Sequence, residues 1–348
     1  MKTVTYAAAI REALAEELER DDEVFLLGED IGESGGVFGV TKGLFERFGA
    51  DRVLDTPISE EAIVGAGVGA SLLGGRPIVE IMFSDFAALA MDMIANQAAK
   101  THYMTGGRLT VPLTIRLVTG TAGATAAQHS QSLEAWFTHI PGLKCVAPST
   151  PSDAKALLKS AIRDPDPVCF FEHKLLYNTK GELEEALEPL PFGQSRIVRE
   201  GADITVVTYL KTVDEALAAA DSLEAEGISL EVLDPRTLVP FDRAGLRTSL
   251  EKTGRLLIAH EAPVRAASAP RFPRSLPRSA GTFSRPRLSA SAERIRRCRT
   301  RPSSRTPSSP IRRGSPPRRG RSWRRRSPDG GDRQVAEVRP DDGRSDDQ

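Results

Sequence analysis

The chain has 348 residues, which is long enough for two ordinary domains. Its 47 basic and 47 acidic side chains cancel, but 23 arginines and only 8 acidic residues lie from Arg265 onward, and no lysine follows Lys252. Three scattered cysteines without a CxxC spacing favour neither a disulfide framework nor a zinc site. The start lacks an apolar signal core, and no uncharged apolar run approaches the ~20 residues of a membrane span, so we expect a soluble cytoplasmic protein.

Helix and strand patterns alternate over residues 1–177. Ile10, Leu14 and Leu18 recur at helical spacing and predict a helix over 6–20, followed by an apolar strand over 24–27. Further strands are predicted at 52–54, 77–82, 113–117, 144–147 and 167–171, and further helices at 60–73, 85–104, 130–139 and 152–163. This alternation predicts an α/β domain with a largely parallel sheet, which binds ligands at the carboxyl ends of its strands.

A polar, proline-containing stretch over 178–202 predicts a linker. A second α/β unit follows over 203–264, with strands at 203–209, 229–233 and 255–259 and helices at 212–226 and 242–252. Three strands and two helices are few for a closed core, so this second domain is expected to be incomplete. Residues 265–348 are rich in Arg, Pro and Ser without periodicity, which predicts a disordered tail.

Glu60 lies where a short strand passes into a predicted glycine-rich helix. Read structurally, Ser59 caps that helix and Glu60 favours its dipole, a combination that stabilises the turn by ~0.3–1 kcal/mol. Read functionally, the carboxylate lies at a strand end, and small residues after it let a ligand approach closely. The run 65–70 also fits G-x-G-x-x-G/A, but no strand precedes it directly, so helix packing is favoured over a nucleotide-binding module.

His129 follows a Gly/Ala/Thr loop after the strand predicted at 113–117. A histidine at a helix start is often a cap or a surface residue, yet this one is predicted at the same sheet edge as Glu60. Two titratable groups in one strand-end cleft favour an active site. A P-loop, an HExxH motif and a Gly-Asp-Gly…Asn magnesium-diphosphate motif are absent from the sequence, so a second chain would have to hold any diphosphate.

The ordered motifs resemble those of the β subunits of thiamine-diphosphate-dependent 2-oxo acid dehydrogenases of the pyruvate, acetoin and branched-chain type. The matching segments are 28–31, 35–44, 48–60, 127–136, 139–143 and 233–240. The resemblance implies a transketolase-like pyrimidine-binding domain over 1–177 and a truncated transketolase C-terminal-like domain over 203–264. It also implies oxidative decarboxylation with acyl transfer to lipoamide, an α2β2 heterotetramer with an α subunit, and a dihydrolipoyl acyltransferase partner. Neither nucleic acid nor membrane binding is expected.

The resemblance also implies residue roles. Glu60 would bind N1′ of the aminopyrimidine, Phe86 and Ile58 would lie against the cofactor, and His129 would orient the intermediate and assist acyl transfer. Magnesium would be held mainly by the α subunit. A structural potassium ion is expected in some members at positions that correspond here to Leu113, Thr114, Ala161 and Asp164.

The resemblance ends after Glu261, where the family continues with Gly-Gly-Phe-Gly-Ala-Glu-Ile and, later, Asp-Thr-x-x-Pro-Tyr. Codons read one base upstream permit the first of these motifs at 266–278 and the second at 294–310. A frameshift near 263–265 would explain both, and the chain as written would then be an inactive or weakly active remnant. The alternative, a nucleic-acid-binding tail, would mix lysine with arginine.

Overall fold

The computed structural model describes residues 1–122, 125–184 and 187–263. The predicted tail over 265–348 and the frameshift lie outside these residues. The strands, in chain order, are β1 (Lys2–Thr5), β2 (Val24–Gly28), β3 (Val53–Asp55), β4 (Arg76–Ile81), β5 (Thr114–Thr119), β6 (Lys144–Val146), β7 (Val168–His173), β8 (Lys180–Leu183), β9 (Arg196–Arg199), β10 (Ile204–Val207), β11 (Leu230–Asp234), β12 (Thr237–Val239) and β13 (Leu256–Ile258). The α-helices are α1 (Tyr6–Arg20), α2 (Leu44–Phe48), α3 (Glu60–Leu72), α4 (Ala99–Met104), α5 (Glu134–Thr138), α6 (Pro151–Arg163), α7 (Thr212–Glu224) and α8 (Arg243–Thr253).

The larger sheet has seven strands in the order β12-β6-β7-β5-β4-β2-β3. Its strands are parallel except for β12, which pairs antiparallel with β6. The predicted α/β class with a largely parallel sheet is therefore confirmed. The edge strand β12 comes from the second half of the chain, which ties the two predicted domains together through backbone hydrogen bonds.

Successive residues of each central strand point to opposite faces of this sheet. Leu26 and Ile78 pack on one face with α1 and α6, while Leu27 and Val79 pack on the other with α3. Gly67 of α3 lies so close to the sheet that a Cβ atom there would be 2.8 Å from Val79 Cγ1. The glycines of 65–70 therefore lie within a helix rather than at a strand-to-helix turn, as expected for close helix packing.

The predicted linker over 178–202 contains two ordered strands, which corrects the sequence interpretation. Strand β8 pairs antiparallel with β1, and β9 pairs antiparallel with β11 in a four-stranded sheet ordered β13-β10-β11-β9. Both strands are short and half exposed, so their apolar pattern is weak. Among the helices of the described residues, none combines the length and the apolar character of a membrane span.

The helix predicted over 85–104 is broken into three pieces. A 3-10 turn covers Ser84–Ala88, a π-helical turn covers Met93–Ala98, and only α4 is regular. The apolar periodicity of this stretch does not reveal the break, because all three helix types bury residues three to five apart.

Candidate active site

The carboxyl ends of β2, β3, β4, β5 and β7 share one edge of the large sheet because these strands are parallel. From β2 the chain proceeds to β3 on one side, and then crosses back to β4, β5 and β7 on the other. The crevice between β2 and β4 is therefore a topological switch point, where open α/β sheets bind their ligands. The predicted site residues Glu60, Phe86 and His129 all follow strands that end at this edge.

Glu60 is the first residue of α3, and its side chain is 6% exposed. Ser59 occupies the N-cap position, but its side chain makes no capping hydrogen bond, which corrects the structural interpretation of this turn. The neighbouring Glu61 is exposed. Burial of a carboxylate is unfavourable unless its charge is compensated. An exposed acid such as Glu61 can interact with the helix dipole equally well, so the dipole does not explain why Glu60 is buried.

Glu29 shares this part of the site and was missed by the sequence interpretation. It directly follows β2 and is buried, and its Oε1 atom has no hydrogen-bond partner. Burial raises the pKa of the Glu29 carboxyl, and the negative charge of Glu60 raises it further. In the sequence, Glu29 could have been recognised because it directly follows a buried strand, within the segment 28–31. Two neighbouring carboxyl groups, one of which retains its proton more readily, suit proton transfer.

An aromatic wall lies at the end of β4 and contacts His129. The imidazole is 4.7 Å from the Phe83 ring and 5.3 Å from the Phe86 ring, and both contacts are edge-to-face. Phe83 and Phe86 are themselves 6.2 Å apart in a T-shaped arrangement. The structure thus brings two of the predicted residues, Phe86 and His129, into direct contact. The wall offers an apolar face to a flat ring and holds a titratable imidazole at its margin.

The sequence predicted His129 at the start of a helix, and this prediction is wrong. Helix α5 begins only at Glu134, because Gln131 is used to close the preceding loop. The Gln131 backbone N–H donates to Asp85 Oδ1 at 3.2 Å, and the Gln131 carbonyl accepts from the Gly120 N–H at 3.1 Å. Asp85 Oδ2 is buried without a hydrogen-bond partner and lies in the same turn as Phe86.

Ile58 is 82% exposed and lies two residues before Glu60. An apolar side chain this open at the mouth of a crevice has water on most of its surface in the single chain. It is available to a ligand or to a second chain.

Of the four residues predicted for potassium, Leu113 and Thr114 lie at the start of β5, and Ala161 and Asp164 lie at the end of α6. The Leu113 carbonyl accepts from Val168 N–H at 2.9 Å, and the Ala161 carbonyl accepts from Asp164 N–H at 3.3 Å. The carboxylate of Asp164 pairs with Lys144 Nζ at 2.5 Å, so its charge is already compensated. Thr114 is the first residue of β5. A cation here would rely on the second lone pairs of backbone carbonyls, because no group of three His, Cys, Asp or Glu side chains is poised for a metal in the described residues.

Two family models match the chain: "Transketolase, pyrimidine binding domain" over residues 2–180 and "Transketolase, C-terminal domain" over residues 193–280. The chain is 52% identical over 267 residues to the acetoin:2,6-dichlorophenolindophenol oxidoreductase subunit beta of Cupriavidus necator, covering 74% of this chain and 79% of the relative. It is 47% identical over 258 residues to the pyruvate dehydrogenase E1 component subunit beta of Rickettsia felis, with the same coverage of 74% and 79%.

The 2-oxoisovalerate dehydrogenase subunit beta of Bacillus subtilis is 48% identical over 262 residues, covering 75% of this chain and 80% of the relative. A solved structure described as a split gene transketolase in an inactive β4 tetramer matches with a TM-score of 0.63 and 25% identity, over 74% of this chain and 80% of that one. The pyrimidine-binding match, the relatives and the site at the switch point agree. The chain belongs to the family of 2-oxo acid and acetoin dehydrogenase β subunits built on the transketolase pyrimidine-binding domain.

Proposed function

We propose that this chain is the β subunit of a thiamine-diphosphate-dependent dehydrogenase of pyruvate or acetoin. With an α subunit in an α2β2 heterotetramer, it would decarboxylate or cleave its substrate oxidatively and pass the acyl group to the lipoamide of a dihydrolipoyl acyltransferase in the cytoplasm. The observation that carries the proposal is the buried Glu60 at the switch point, next to Glu29, whose Oε1 atom has no hydrogen-bond partner.

The residues present fit an aminopyrimidine ring. The buried carboxylate of Glu60 would hold N1′ by a hydrogen bond and exchange a proton there, with Glu29 as a neighbouring acid of raised pKa. Phe86 offers the flat apolar contact that such a ring needs, and Ile58 would close over it at the mouth of the site. When bound, thiamine diphosphate supplies the carbon nucleophile that attacks the 2-oxo or acetoin carbonyl.

Magnesium and the diphosphate belong to the α subunit in this proposal. The described part of the chain contains no group of three His, Cys, Asp or Glu side chains suited to a metal, and the sequence lacks the magnesium-diphosphate motif. Potassium would be held by the carbonyls of Leu113, Thr114 and Ala161 and the backbone near Asp164. His129, supported on Phe83 and Phe86, would orient the reacting carbonyl and take part in the proton transfer that accompanies acyl transfer.

The test uses the chain co-expressed with an α subunit, both as written and with the codons after residue 263 restored to the predicted frame. Glu60→Gln is compared with Glu61→Gln, a matched change at the exposed neighbour. Glu60→Gln should lower thiamine-diphosphate-dependent dichlorophenolindophenol reduction by about 10²–10⁴-fold, because the amide cannot relay a proton. Glu61→Gln should stay within about twofold of the parent. Equal rates in the two variants would contradict the proposal.

A second candidate, an inactive remnant of this subunit, is favoured by the arginine-rich composition after residue 264. The relatives cover 74–77% of this chain. Reading the locus and the mass of the expressed protein decides between the two. If the frame is uninterrupted and the chain as written turns over as fast as the restored one, the remnant hypothesis is wrong.

A further inference from the structure

The loop after β5 carries His129, and the second domain reaches its first residues. The backbone N–H of Thr121 donates to Glu261 Oε1 at 2.9 Å, and the Thr121 hydroxyl donates to the same oxygen. The other carboxylate oxygen, Oε2, lies 2.6 Å from His173 Nε2. Because the Leu175 N–H donates to His173 Nδ1 at 3.2 Å, Nε2 carries the proton and donates to Glu261.

Glu261 is itself held in place by the second sheet. Just before it, the Ala259 N–H donates to the Val207 carbonyl at 3.0 Å, extending β13 alongside β10. His260 then stacks on Tyr209, with ring centroids 6.0 Å apart and an interplanar angle of 18°. The carboxylate therefore projects from an ordered strand end and not from a free terminus.

Lys174 holds the same loop at both ends. Its ammonium donates to the Gly120 carbonyl at 2.7 Å and to the carbonyl of His129 itself. It also lies 5.0 Å from the centre of the Phe83 ring, the ring against which His129 packs. Burial lowers the pKa of Lys174, while the negative charges of Asp85 and Glu261 act in the opposite direction. One cation thus connects the start of the loop, the histidine and the aromatic wall.

Gly120 makes this arrangement sterically feasible. Its φ angle is +85°, and a Cβ atom at this position would be 2.1 Å from His173 Nε2. The close approach of His173 to Glu261 thus depends on the missing side chain. With Gln131 bound to Gly120 and Asp85, the loop is closed at its base and clamped from two sides.

We propose that Glu261 and Lys174 are positioning residues that hold His129 against Phe83 and Phe86, so that the second domain completes the geometry of the active-site histidine within the same chain. We call the contacts of Glu261 with Thr121 and of Lys174 with the carbonyls of Gly120 and His129 the clamp. The role of His129 in catalysis rests on the proposed function, whereas the clamp is present in the single chain. Neither residue belongs to the Glu60 and Glu29 pair on which the proposed function rests, so the failure of one proposal leaves the other standing.

The first experiment is hydrogen–deuterium exchange of the full 348-residue chain, read on peptides that cover 119–131. Glu261→Gln and Lys174→Met each remove a charged partner and should speed exchange in this loop by about 10–100-fold, the effect of losing a hydrogen bond to a charged group. The β4 peptide should be unchanged in both. Glu251→Gln, at an exposed glutamate of the same domain, is the matched control and should leave the loop unchanged.

Thr121→Ala keeps the test decisive if a buried-site variant does not fold, because Thr121 is exposed and only its hydroxyl is lost. It should speed loop exchange less than Glu261→Gln does. A second readout is the proton NMR of the His129 ring, assigned with His129→Asn. Phe83 and Phe86 shift its signals, and Glu261→Gln should move them toward unshifted values while Glu251→Gln does not.

Unchanged loop exchange and unchanged His129 signals in Glu261→Gln and Lys174→Met would overturn the clamp. Acceleration spread evenly over the whole chain, with Thr121→Ala behaving like the parent, would overturn it too. If the clamp is confirmed while Glu60→Gln leaves activity with the α subunit intact, the proposed function fails and the clamp stands. In the active complex, Glu261→Gln should lower kcat and leave KM within about twofold, because substrate binding itself is not touched.

Discussion

Replacing Arg116 by methionine tests how the sheet beneath the active site is stabilised. Arg116 is 1% exposed and donates to both oxygens of Glu172, at 2.6 and 2.8 Å, and to Glu80 on the neighbouring strand. Both carboxylates are buried, and the Tyr177 hydroxyl donates a further bond to Glu172 at 2.9 Å. Burial raises the pKa of Glu80, and the charge of Arg116 opposes that rise.

The expected loss follows from leaving two buried carboxyl groups without their cation. Breaking a buried ion pair by removing one partner costs about 3–5 kcal/mol, because the remaining charge stays desolvated. For a folded unit of this size that loss corresponds to a Tm lower by roughly 6–20 °C. Replacing all three residues, as Arg116→Met with Glu80→Gln and Glu172→Gln, should recover most of the loss, since no buried charge remains.

Urea unfolding of the full chain at pH 5 and pH 7 measures this loss. Without Arg116, the folded-state pKa of Glu80 rises further above its ordinary value of 4.5. The free energy of unfolding of the variant is then unaffected below pH 4.5 and falls as the pH rises through the raised folded-state pKa of Glu80. The loss of stability relative to the parent should therefore be larger at pH 7 than at pH 5. Arg247→Met, at an exposed arginine, is the control and should change stability by less than about 0.5 kcal/mol. A loss of stability below ~1 kcal/mol at pH 7, or one equal at both pH values, would show that Arg116 does not compensate the two buried carboxylates.

Two further predictions concern positions outside this cluster. Gly120→Ala should destabilise the chain in urea unfolding by more than the about 1–3 kcal/mol that a strained backbone alone costs, because its φ is +85° and its Cβ would also meet His173. Gly227→Ala, where φ is +78° but no atom lies within 4 Å, should cost only the backbone strain, and equal losses would contradict the steric part of the argument. Burial and the charge of Asp153 raise the pKa of Asp234 from 3.8 to about 6. Between these values the unfolded state ionises first, so stability falls with rising pH by up to about 3 kcal/mol; Asp234→Asn should flatten that slope, and an unchanged slope would show that Asp234 does not cause it.

Local patterns in the sequence predicted most elements of the fold. Helix α1 begins and ends where its apolar spacing indicates, and Thr5 caps it by accepting from the Ala8 N–H at 3.2 Å. Helix α6 likewise starts after a capping threonine, Thr150. The patterns gave wrong helix bounds where backbone N–H and C=O groups form hydrogen bonds with residues distant in the sequence. The helix predicted over 130–139 shortens because Gln131 bonds Gly120 and Asp85, contacts that no local period reveals.

Glu60, Phe86 and His129 could be chosen from the sequence because each follows a strand in a recognisable motif. Glu29 could have been chosen by the same rule, since it directly follows β2. Its significance comes only from burial beside Glu60, because a surface acid at that position would be unremarkable in its pKa. That Glu29 and Glu60 share one crevice follows only from the order of the strands in the sheet.

The sequence alone determined the fold class, the family resemblance and the strand ends at which the site residues lie, because apolar periodicity and short motifs are local properties of the chain. Which side chains meet at those strand ends depends on the tertiary packing of the chain. Glu261 reaches Thr121 across 140 residues, and Lys174 reaches His129 across 45. Contacts of this range depend on how the two sheets pack and on the order of their strands, and hydrophobic spacing carries no information about either.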